Sequence, residues 1–129
     1  MRVMLCLILL PILTGCGGGS TTPASDMARL TSPTRGEKIE SPLRLYGEAR
    51  GYFFFEATFI IRLEDEKGKV LGEAPAYAQS SWMTDGVVPF ESVLTFTAPE
   101  ASAGVLILEA ANPSGLEENA HSVRVPVRF

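Results

Sequence analysis

Ser80, Asp85 and His121 are the residue types of a hydrolytic triad, so they are the first place to look for chemistry in this 129-residue chain. A nucleophilic serine needs a base held within hydrogen-bond reach, and in one large class it sits on a Gly-x-Ser-x-Gly turn that lifts its hydroxyl. Ser80 has no such turn around it, and nothing in the spacing brings the three residues together. His121 is the only histidine, and without a second imidazole or a thiol beside it a structural zinc site is not available. Glu64-Asp65-Glu66 lacks the ligand count and spacing of a calcium loop and reads as a solvated turn. These patterns predict no enzyme, no metal and no cofactor. Two groups remain: the Cys16 thiol and the run Gly51-Tyr52-Phe53-Phe54-Phe55.

Four consecutive aromatic residues cannot all face inward from one strand, because successive side chains point to opposite faces. One or two of them are expected on a loop or rim, where exposed aromatic surface favours binding. With Tyr77 they would make a platform suited to protein or glycan, and the candidate binding surface is Tyr52, Phe53, Phe54 and Trp82. The alternative is that the run covers the open end of the fold.

Cys16 follows a short apolar leader. Arg2 supplies a positive start, Val3 to Leu13 is apolar apart from Pro11, and small residues precede the cysteine. That layout predicts a secretory signal peptide over residues 1–15. The apolar run is too short for a membrane-spanning helix, which takes about 20 residues. Leu13-Thr14-Gly15-Cys16 resembles the lipobox of bacterial lipoproteins. The resemblance implies that Cys16 is acylated, becomes the first mature residue and ties the protein to a membrane. The alternative is an ordinary signal peptide with an incidental cysteine. Stable anchoring takes two lipid signals, with about 0.8 kcal/mol per buried methylene, and a diacyl or triacyl cysteine would supply them. The expected location is extracytoplasmic, membrane-anchored, on the periplasmic or cell-surface side. Gly17 is not the Asp that resembles an inner-membrane retention signal.

Cleavage before Cys16 leaves 114 of the 129 residues, enough for one domain. Cys6 departs with the leader, so the folded part holds no cysteine and depends on its core rather than on disulfides. Loss of Arg2 takes the net charge from −4 to −5, with the charges dispersed. A nucleic-acid partner is not expected, because that binding is driven by neutralising phosphates. The expected partners are the membrane, through lipid on Cys16, and an envelope protein or cell-wall glycan.

The elements that must position these residues are strands. Residues 16–26 read as the lipidated cysteine and a flexible tether, with Gly17-Gly18-Gly19 and Pro23 arguing against a helix. From Met27 onward the pattern is strand-like. Leu43 to Arg50 alternates, with Leu43, Leu45, Gly47 and Ala49 on one face. Phe59, Ile61 and Leu63 repeat that pattern, and Glu66-Lys67-Gly68-Lys69 supplies a hairpin turn. Val70 to Ala74 is the return strand, and Pro75 limits how central it can be. Gln79 to Gly86 is irregular. Phe90 to Thr97 is expected as a strand burying Phe90, Leu94 and Phe96. Val105 to Ala110 is apolar on both faces at first, so it belongs at the centre of a sheet. Asn112-Pro113-Ser114-Gly115 is turn chemistry, and Leu116 to Ala120 has room for one helical turn. Ser122 to Phe129 alternates again, with Pro126 pointing to an edge. Phe55 and Phe90 are expected between the sheets. About seven short strands at this spacing predict an all-β immunoglobulin-like sandwich over residues 27–129.

An ordered series of short patterns carries a second resemblance: Thr31-Ser32-Pro33 with Gly36, Ser41-Pro42-Leu43, Leu45-x-Gly47-x-Ala49-Arg50, and Phe55-Glu56-Ala57. It continues through Asp65-x-x-Gly68-x-Val70-Leu71 and Pro89-Phe90-Glu91 to Val123-x-Val125-x-Val127. This series resembles the immunoglobulin-like domain of bacterial spore germination proteins. The resemblance implies a sandwich fold, an extracytoplasmic and often lipoprotein setting, and a role in germination. It brings no catalytic residues. The expected function is a lipid-anchored, non-enzymatic binding or spacer module of the cell envelope. A protease-inhibitor-like envelope domain is the alternative, with Gln79 to Asp85 as its presenting loop.

Overall fold

The computed structural model describes residues 26–129. The expected signal peptide, Cys16 and residues 17–25 of the tether lie outside the described residues.

Alternating apolar residues form strands that bury one face each. Seven result: β1 (Ala28–Ser32), β2 (Leu43–Arg50), β3 (Thr58–Asp65), β4 (Val70–Ala78), β5 (Val87–Leu94), β6 (Ala103–Glu109) and β7 (Ser122–Arg128). The ladder order is β1-β2-β5-β4-β3-β6-β7, antiparallel throughout. Its weak point lies between β4 and β5, which pair only at Tyr77 with Glu91 and Ala78 with Phe90. There the sheet folds over, so that β1-β2-β5 faces β4-β3-β6-β7. Phe59 on β3 and Phe90 on β5 are not strand neighbours, yet their rings meet edge to face at 4.9 Å across the core. This is an immunoglobulin-like sandwich.

The far margin is closed by the segment after β1. The Ile39 N–H donates to the Arg128 carbonyl oxygen at 2.8 Å, and the Arg128 N–H donates to the Glu37 oxygen at 2.9 Å. Lys38 thus pairs in parallel with β7, and the chain has crossed from one layer to the other after Pro33. β7 ends the ladder as Pro126 requires.

The expected faces of β2 and β3 are the observed ones: Leu45 and Ala49, then Phe59, Ile61 and Leu63, are buried. A Cβ on Gly47 would lie 2.3 Å from the Arg29 carbonyl oxygen, so the close backbone approach is real, and the β1–β2 register shifts beside it. The hairpin turn after β3 is fixed by Asp65, whose Oδ1 accepts the N–H groups of Lys67 and Lys69 at 2.8 and 2.9 Å. β6 is flanked on both sides, and Leu106, Ile107 and Leu108 are all buried. Leu106 and Leu108 join the core. Ile107 points the other way, in register between Arg62 and Arg124, whose aliphatic stems suit the task of covering it.

Three expectations need correction. β4 does not stop before Pro75 but runs through it to Ala78. Proline is tolerated because β4 has no ladder partner on its β5 side there, and Ser92 Oγ donates to the Pro75 carbonyl oxygen at 2.8 Å. β5 begins at Val87 and ends at Leu94, so Phe96 lies beyond the strand, although it still packs on the core and on Phe129. Phe55 is exposed rather than buried between the sheets. A two-residue turn, Glu56-Ala57, follows it, with the N–H of each of Phe55 and Thr58 donating to the carbonyl oxygen of the other at 2.9 and 3.1 Å. That turn aims Phe55 away from the core.

Candidate functional site

The end of β2 passes into a 3₁₀ turn, Gly51–Phe53, which breaks the alternation and decides where each aromatic goes. Phe53 and Phe54 turn inward. Both are buried, and their rings meet Phe59 edge to face at 5.0 and 5.2 Å. Phe59 meets Phe90 in turn, giving a four-ring aromatic core at this end of the sandwich. Phe53 therefore offers no surface, because the turn directs its ring into the space between the layers. Phe54 also turns inward, but one side of it reaches the wall of a surface cleft.

Tyr52 and Trp82 stay at the surface and are brought together. They line a cleft of about 320 Å³ with Gly51, Phe54, Met83, Thr84 and Asp85. Tyr52 is 55% exposed and Met83 78% exposed, whereas Trp82 is half-buried against the core. The absence of a side chain at Gly51 makes the cleft possible. A Cβ there would lie 1.8 Å from the Thr84 carbonyl oxygen and 2.5 Å from that of Trp82. The Gly51 N–H donates to the Gly86 oxygen at 3.1 Å, and the Gly86 N–H donates to Thr84 Oγ1 at 3.1 Å. Residues 79–86 are thus bound to the 3₁₀ turn, with Trp82 as the plug. Gln79 to Asp85, the presenting loop of the alternative reading, is mostly exposed and tied to the fold at Gln79 and next to Gly86.

Tyr77 does not join that cleft. It lies on the outer face of β4 in a lateral groove that the sequence does not reveal. Register sets Tyr46 on β2 opposite Glu91 on β5, and Glu91 opposite Tyr77 on β4. The three side chains form one row across the seam where β4 and β5 part. Strand spacing puts the two tyrosines about 10 Å apart at Cα. Arg44, Gln79, Pro75, Ser92 and Val93 complete a groove of about 290 Å³. Tyr46, Tyr77 and Val93 are exposed, so apolar rings, a carboxylate and a guanidinium share one open surface. Outward alternation in β2 is the only sequence signal for Tyr46.

The remaining chemistry-bearing residues stay apart. Ser80 and Asp85 share the 79–86 segment, while His121 precedes β7 and its carbonyl oxygen accepts the Ala110 N–H at 2.9 Å. No group of three His, Cys, Asp or Glu side chains among the described residues is arranged to hold a metal ion. Arg62 pairs with Glu64 and with Glu109 on the outer face of β3 and β6, a surface ion-pair cluster.

A family profile described as the immunoglobulin-like domain of bacterial spore germination matches residues 27–116. The chain belongs to that family. The germination-type domain begins where the strand pattern begins, and the match ends at Leu116, ahead of β7. β7 completes the four-stranded layer in the structure. No curated protein and no solved structure matches the chain.

Proposed function

We propose that this germination-type immunoglobulin-like domain is a lipid-anchored, non-enzymatic binding module of the bacterial envelope, holding an envelope protein or cell-wall glycan through the Tyr46–Glu91–Tyr77 groove. The row itself carries the reading: two open aromatic rings flank one carboxylate on a rigid sheet face, which costs little ordering entropy on binding. Aromatic rings of this kind dominate interface energetics and suit both peptide and sugar surfaces. The anchor is supported by the leader and the Leu13-Thr14-Gly15-Cys16 pattern. Membership of the germination family supports a binding or spacer role.

A photoreactive amino acid in place of Tyr77, in the native host, tests the groove. The expected result is one crosslinked envelope species, protein or glycan, that disappears when Glu91 is also changed to Ala. A crosslinking pattern indistinguishable from that of a probe at Lys67, at the opposite end of the sandwich, would contradict the proposal.

A further inference from the structure

The first described residue enters the fold beside the Tyr52–Trp82–Met83 cleft. Ala28 pairs with Ala49, and the Arg50 side chain donates from Nε to the Asp26 carbonyl oxygen at 3.3 Å. Arg50 pairs with Val87 and leads into Gly51, which touches Thr84. Asp26, Arg50, Gly51 and Thr84 therefore form a continuous path, and the cleft shares one end of the sandwich with the point where the chain from Cys16 arrives.

We infer that this end of the domain seats on the lipid bilayer, with Tyr52, Trp82 and Met83 as its contact residues. The inference rests on the proposed lipid anchor at Cys16. Only nine residues, Gly17 to Ser25, separate that cysteine from Asp26. Even a fully extended chain of that length reaches at most about 36 Å. The tether end is thus confined to the layer next to the membrane, at an effective concentration that short linkers raise to the millimolar range. Weak contacts suffice under that condition.

The surface has the chemistry of a bilayer interface. Tryptophan and tyrosine concentrate where an apolar body and a polar tip both find partners. Met83, the most exposed large apolar residue described, adds a flexible apolar side chain, and Phe55 and Leu116 are exposed on loops at the same end. Asp26, Asp85, Glu56, Glu117 and Glu118 lie at this end too, and Arg50 is the neighbouring cation. Attraction to anionic lipid is therefore not the driving force. Seating is apolar, needs no anionic lipid and is insensitive to salt on zwitterionic lipid. It also leaves the Tyr46–Glu91–Tyr77 groove on the flank, open to a partner beside the membrane.

Trp82 is the only tryptophan and reports directly on this contact. The mature lipoprotein, purified from its host membrane, is reconstituted in phosphatidylcholine vesicles carrying brominated acyl chains. Co-flotation with the vesicles reads the anchor, and Trp82 emission reads the seating. The expected result is co-flotation with Trp82 quenched by the brominated lipid, shielded from aqueous iodide and unaffected by salt. The Y52S/M83S double variant should still co-float but lose the quenching. Co-flotation with Trp82 unquenched by lipid overturns the seating and leaves the anchor intact, whether iodide reaches the ring or another protein shields it. Absence of co-flotation overturns the anchor and the seating together.

Discussion

Gly51 and Thr84 lie so close that a Cβ on the glycine would sit 1.8 Å from the threonine carbonyl oxygen. This approach locks the 79–86 segment onto the 3₁₀ turn and holds Trp82 in place. G51A must push the two backbones apart. Overpacking of this kind costs about 1–3 kcal/mol. Urea denaturation should show that loss, together with a red shift of Trp82 emission as the plug loosens. Wild-type stability and emission in G51A would mean that the two segments are not held together by this contact.

The four aromatic residues at 52–55 should separate cleanly in denaturation experiments. F53A and F54A remove rings from the core stack, and buried Phe-to-Ala changes cost about 3–5 kcal/mol. Y52S and F55S alter exposed side chains and should stay within about 0.5 kcal/mol of wild type. Equal costs at all four positions would contradict the placement.

Ser92 is the only buried polar residue described, and its hydroxyl satisfies Pro75 at the seam between β4 and β5. S92A leaves that carbonyl without its partner and should cost about 1–3 kcal/mol. Amide hydrogen exchange should then rise first around Ala76 to Ala78, next to the two remaining ladder pairs. Uniform loss of protection over the whole sheet would show that the seam has no separate stability.

Glu56 and Ala57 both hold positive φ, 51° and 64°. Side chains with a Cβ pay roughly 1–2 kcal/mol for that conformation, and turns of this type ordinarily carry Asn-Gly. A57G should therefore stabilise the domain by about 1 kcal/mol, read as a higher urea midpoint with an unchanged slope. A lower midpoint would indicate that the turn is not strained.

Where one face of a strand is buried, the sequence announces it. Leu45, Ala49, Phe59, Ile61 and Leu63 alternate because β2 and β3 each bury one side, and Gly68 and Pro126 mark a turn and an edge for local reasons. The inward pair Phe53 and Phe54 was hidden because a 3₁₀ turn interrupts the period of two. Phe55 was misplaced because Glu56-Ala57 carries none of the residue types that signal a left-handed turn. The Tyr46–Glu91–Tyr77 row depends on pairing of Glu91 with Tyr46, 45 positions away, and with Tyr77, 14 positions away, which no local pattern encodes. Tyr52 and Trp82 belong to the surface expected from the sequence together with Phe53 and Phe54, and no local pattern separates the outward Tyr52 from the inward Phe53.

The envelope placement, the partner groove and the seated end all depend on what happens at Cys16. Intact-mass spectrometry of the protein extracted from its native membrane measures this directly. A lipid anchor predicts a chain beginning at Cys16 with two or three acyl chains added. A free thiol at Cys16, or residues 1–15 still attached, would contradict it.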